Sequence, residues 1–238
     1  MTVATPVPGS VRDFLAAAPE AFYAWMVRRP MNLVMFCLVA VVAGAGSYGA
    51  VMGSWRDPWQ AVYTGIKLPL VMLLTVVGNG LLNGMLAPLL GLNLSFRQSF
   101  AAVLISFAVT SIVLGALSPV AWFIVYNTPP LAAGATIKSP EYAVLQLTLA
   151  VFVALAGVIG NVRLLPLLRQ WSGSARAGMH VLLAWLAVNL FLGSQISWVL
   201  RPFIWEANRP VAFIGADCFQ GSFFETVFNA VCRIVMSS

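Results

Sequence analysis

Five apolar stretches, each long enough to cross a bilayer as a helix, constrain this chain more than any other feature. They lie at about 31–53, 61–83, 99–126, 142–166 and 178–201, and charged or proline-containing turns separate them. A hydrocarbon core needs roughly 20 apolar residues per helix. The chain is therefore expected to be all-α: a polytopic transmembrane helix bundle of about five spans, with amphipathic helices at both termini. Composition agrees. Only 8% of the residues are charged and mean hydropathy is +0.91, whereas a soluble domain carries about 25% charged residues. So few charges cannot cover a water-soluble surface.

The spans divide the chain into three regions. Residues 1–30 form an N-terminal segment in which 11–27 reads as one amphipathic helix: Phe14, Leu15, Ala18, Phe22, Trp25 and Met26 recur at helical spacing. Such a helix suits the membrane interface. Residues 31–201 form the bundle. Residues 202–238 form a tail that is less apolar, carries several aromatics, and is expected to fold back on the bundle or on a neighbouring subunit. Its end, FFETVFNAVCRIV, is a second candidate interfacial helix. Residues 85–98, MLAPLLGLNLSFRQ, are too short for a further crossing and read as a loop or shallow re-entrant segment. The opening MTVATPVPGS has no positive n-region, so the first span is expected to remain as an anchor.

Positive charge is uneven. Arg12, Arg28, Arg29, Arg97, Arg163, Arg169 and Arg176 fall on one side of the expected topology. Arg56, Lys67 and Lys138 fall on the other, where the tail's charges nearly cancel. The positive-inside bias then places the N-terminus in the cytoplasm and the C-terminus outside. No basic run suggests nucleic acid as a partner. Membrane lipids, further copies of the chain or other membrane subunits are the partners expected.

Polar residues inside a membrane are candidates for function. Lys67 lies about one and a half turns into the second span; it either snorkels to the interface or faces an internal cavity. Asn79 and Asn83, four apart, share a helical face. With Gln195 and Arg201 these residues either hydrogen-bond across helices or line an anion-preferring path. GAGSYG (44–49) supplies Gly44, Gly46 and Gly49 as a small-residue seam for close helix approach, and Gly193 and Trp198 extend the candidate interface set. Cys218 and Cys232 share the tail and are either a disulfide or two free thiols. No CxxC pair is present and His180 is the single histidine, so no metal site and no cofactor are expected. No GxSxG, HExxH or phosphate-loop motif appears, so the chain is expected not to be an enzyme. A lipid-acting enzyme with His180 as base is the remote alternative.

The placement of proline and glycine in IKLPLVMLLT (66–75), LAPLLGLNLSFRQSF (86–100) and LGALSPVAWF (114–123), followed by LRPFI, resembles the Yip (Ypt-interacting) membrane-protein family and its bacterial relatives. The resemblance covers roughly residues 60–205. It implies an amphipathic N-terminus, five packed spans and action in assemblies without catalysis. The acidic DLxGP-type signature of the eukaryotic members is not evident, so a role with small GTPases is not implied. The expected function is a non-enzymatic membrane protein, working as a homo-oligomer or as a structural or assembly subunit of a membrane complex. A channel or transporter subunit is the rival.

Overall fold

A computed structural model describes residues 10–89, 95–129, 140–201, 203, 211–215 and 218–225. Among them there are seven helices and no strand: α1 (Val11–Ala16), α2 (Pro19–Arg28), α3 (Pro30–Ser54), α4 (Pro58–Leu89), α5 (Phe96–Asn127), α6 (Pro140–Ser172) and α7 (Ala175–Val199). The last five are long and apolar enough to span a membrane. Cys232, Lys138 and most of the expected C-terminal helix lie outside the described residues.

Proline opens four of these helices, at Pro19, Pro30, Pro58 and Pro140. Its fixed φ suits a first helical turn, and its missing N–H has no partner to lose there. Side-chain caps open others. Ser95 and Gln98 form a reciprocal capping box at the start of α5, and Ser174 caps α7. Gly173, at φ +63°, makes the left-handed turn between α6 and α7 that a residue with a Cβ would resist.

Two expectations are corrected here. The N-terminal segment is not one helix: Pro19 forces Ala18 into an extended conformation and splits it into α1 and α2. Nor is the whole of 85–98 a loop or re-entrant segment, although 90–94 lie outside the described residues. Residues 85–89 continue α4, and Ser95–Gln98 is the cap and first turn of α5, one turn earlier than the hydropathy pattern alone indicates.

Consecutive spans run antiparallel. A Cβ added to Gly49 would meet the Thr64 carbonyl of α4, and one added to Gly80 or Gly84 would meet Phe100 or Phe96 of α5. Gly160 of α6 faces Ser106 and Thr110 of α5, and Gly178 of α7 faces Arg169 of α6. α5 is the central helix, with 56% of its most apolar window buried against 22% for α7. It runs parallel to α3, whose Gly44 packs directly on the Ser111 carbonyl. Tyr48, fully buried, ties α3 to α6 by donating to the Leu149 carbonyl at 2.8 Å. Thr110, Ser111 and Ser118 each bond the carbonyl four residues earlier in α5, and Ser111 also meets Met72 Sδ of α4 while Ser118 pairs with the Ser47 hydroxyl of α3.

The seam glycines are thus used inside the chain. Gly44 meets α5, while Gly46 and Gly49 meet α4, so this surface is not free for another copy. Gly193 faces Thr75 of α4 with room for a Cβ, at 3.7 Å.

The N-terminal helices lie on the bundle rather than beside it. Phe14 is fully buried, with its ring 4.8 Å from Phe36 of α3 and 5.3 Å from Phe22 of α2. At the opposite end, Trp59, Trp122, Phe123 and Tyr126 are exposed near the ends of their spans, where a membrane's aromatic belt would lie.

Candidate functional site

One face of α4 carries Gln60, Thr64, Lys67, Thr75, Asn79 and Asn83, at successive steps of three, four or eight residues. Steps of three and four repeat on one side of a helix. All six are buried, with at most 1% of the side chain exposed. At ~1.5 Å per residue the stripe is about 35 Å long, the full depth of a hydrocarbon core. It faces α7 and the C-terminal tail.

The tail closes the first third. Gln60 Nε2 and Thr64 Oγ1 both donate to the Phe203 carbonyl, the latter at 3.1 Å, and Gln60 also donates to Thr64. Lys67 Nζ lies 5.3 Å from the Phe213 ring centre and 5.7 Å from that of Phe203. A desolvated ammonium over aromatic faces gains cation–π attraction of up to about 2 kcal/mol. Tyr63 packs edge-on against Phe213, at 5.6 Å. Lys67 therefore does not snorkel into water; it lies under a lid built from its own chain.

Arg201 fastens the same lid. It stacks 3.9 Å above the Trp198 ring. Its guanidinium donates to the Trp198 carbonyl at the end of α7 and to the Gln220 carbonyl in the tail, at 3.0 and 3.2 Å. Its own carbonyl accepts from Gly215 N–H, and Trp198 Nε1 donates to Gln220. A cation at a helix C-terminus is also favoured by the helix dipole. Cys218 is buried in the tail with a free thiol.

Further along, α4 and α7 pair in antiparallel register. Thr75 faces Gly193, Gly78 faces Leu192, and Asn79 donates to Asn189. One turn on, the register puts Asn83 opposite the turn of Trp185. Asn83 is fully buried, and neither its Nδ2 nor its Oδ1 has a hydrogen-bond partner. Trp185 Nε1 and Ser99 Oγ are also buried and unpaired, as is Gln195 Oε1.

The five sequence-selected residues thus do not converge on one chamber. Lys67 and Arg201 meet through the tail. Asn79 and Asn83 lie about 18 Å and 24 Å further along α4. Gln195 sits half-buried on α7. His180 is exposed on the first turns of α7, and among the described residues no three His, Cys, Asp or Glu side chains group together. Sequence reasoning missed Gln60, Thr64, Phe203 and Phe213. The spacing of four and then three residues between Gln60, Thr64 and Lys67 was the available signal.

In comparisons with known proteins, the chain matches no family model, no curated protein and no solved structure.

Proposed function

We propose that this chain is a non-enzymatic multi-pass membrane protein that acts in an assembly, as a homo-oligomer or as a structural subunit of a membrane complex. The observation that carries this reading is the locked tail. Gln60, Thr64, Lys67 and Arg201 all hold tail groups, and the tail so held turns apolar side chains outward. Phe219 is 84% exposed, and Ile214, Phe223 and Phe224 are exposed beside it. A fixed, exposed apolar surface at one end of a bundle is what a protein contact needs. The five-span Yip-like layout, a bacterial inner membrane and a cytoplasmic N-terminus belong to the same proposal. Support for the orientation comes from Arg28, Arg29, Arg97, Arg169 and Arg176, which cluster at one end of the bundle.

The test is the mass of the particle solubilised gently from native membranes without overexpression. A defined oligomer, or stoichiometric co-purification with other chains, supports the proposal. A monomer free of partners refutes it.

A path reading has one observation in its favour: the Asn83 amide and the Gln195 Oε1 are buried without hydrogen-bond partners. Ion flux in proteoliposomes that falls on Asn83→Leu substitution would establish it over the structural reading.

A further inference from the structure

The end of the bundle opposite the tail holds a cavity of about 240 Å³ between α2, α3 and the first turns of α5. That is several times the ~30 Å³ share of one water in the liquid. Its walls are of two kinds. Leu33 and Val34 of α3 and Phe100 and Ala101 of α5 make an apolar side, while Tyr23 of α2 and Arg97 of α5 bring polar groups to it. The apolar residues lie one turn into two membrane-spanning helices. The cavity therefore sits where headgroups give way to hydrocarbon.

Among the residues that line it, Arg97 alone is charged, and the acid on α2, Glu20, is exposed at the start of that helix. The first turn of α5 contains no acidic residue and has Arg97 at its second position. A helix N-terminus already carries positive partial charge, so a cation there is unfavourable unless an anion joins it. Ser95 and Gln98 cannot supply that anion: they are neutral and bonded to each other in the capping box. Arg28 and Arg29, both exposed, add charge at the adjoining α2–α3 junction. An apolar wall beside a cationic rim, at headgroup depth, matches one abundant membrane component.

We propose that this cavity binds an anionic glycerophospholipid, with its phosphate at Arg97 and the start of an acyl chain against Leu33, Val34 and Phe100. Tyr23 of α2 lines the same cavity. The site also gives α2 a role beyond burying Phe22 and Trp25: it walls a lipid against the bundle. This inference concerns the other end of the molecule and does not depend on the assembly reading.

The experiment uses the full chain in phosphatidylcholine nanodiscs doped with phosphatidylglycerol, with retained lipid counted by native mass spectrometry. The wild type should keep one phosphatidylglycerol per chain. Arg97→Gln should weaken retention about tenfold or more, the value of one charge-assisted contact. Arg97 is exposed, so this variant should fold, and its melting temperature in pure phosphatidylcholine should equal or slightly exceed the wild type's, because the substitution removes a cation from a helix N-terminus. Ala101→Leu, which fills the cavity, should lower retention by a separate route. Arg176→Gln, on α7 at the same end, should not. Wild-type retention by Arg97→Gln overturns the proposal, as does equal loss in Arg176→Gln. Displacement of the lipid by soluble glycerol phosphate would overturn the lipid assignment.

Discussion

The tail lock makes a quantitative prediction that its own buried cysteine can report. Replacing Gln60 with Leu and Thr64 with Val removes both donors to the Phe203 carbonyl while nearly keeping side-chain volume. In the docked state that carbonyl would then have lost the two bonds that α4 supplies. Each neutral hydrogen bond contributes about 0.5–1.5 kcal/mol, and leaving a buried acceptor unsatisfied costs about 1–3 kcal/mol. At ~1.4 kcal/mol per factor of ten, the undocked tail population should rise about 5- to 100-fold. Cys218 is 7% exposed in the docked tail, whereas Cys37 is fully buried in α3 and stays silent. In a Cys232→Ser background, the rate of maleimide labelling at Cys218 should rise by the same factor, provided closing is faster than labelling. Global unfolding should move little, because the five spans keep their contacts. An unchanged labelling rate would show that the tail is held by something other than these two donors.

Three further outcomes follow from the helix seams. A Cβ at Gly49 would lie 2.5 Å from the Thr64 carbonyl oxygen, so Gly49→Ala needs roughly 1 Å of displacement to regain a ~3.5 Å separation. It should destabilise by about 1–3 kcal/mol, read as a lower thermal midpoint in detergent, and an unchanged midpoint would contradict the seam. A double-mutant cycle on Asn79→Leu and Asn189→Leu should return a coupling of about 0.6 kcal/mol, as membrane hydrogen bonds give; zero coupling would deny the pair. Asn83→Leu should stabilise the fold by about 1 kcal/mol or more, because its amide is buried and unpaired; a loss of stability would mean that a partner outside this chain satisfies it.

The spans were legible because hydropathy is a sum over many residues, and no single tertiary contact can reverse it. Boundaries were less legible. SFRQ at 95–98 is a capping box, yet it lies outside the apolar run, so hydropathy alone starts α5 at 99. The seam GAGSYG was legible as small residues, but nothing in it says which helix it meets. Gly44, Gly46 and Gly49 could serve an intermolecular contact equally well in sequence, and only the packing of α3 on α4 and α5 assigns them within the chain.

The candidate site was legible in half. Lys67, Asn79 and Asn83 stand out because polar residues are costly in hydrocarbon, whereas Gln60 and Thr64 near a span border do not. The rings that receive Lys67 come from Phe203 and Phe213, more than 130 residues away along the chain, and no local period connects them to it. With all the partners in place the α4 stripe is uneven. Its tail end is closed by ring faces and backbone carbonyls. Its other end leaves Asn83, Trp185 and Ser99 buried without hydrogen bonds. A half-satisfied polar network is worse for stability than an apolar one of the same shape. Helix adhesion alone therefore accounts for Asn79 with Asn189 but not for Asn83. The structural reading rests on the tail end of the stripe, and the opposite end is where any use of the α4/α7 seam beyond structure has to be sought.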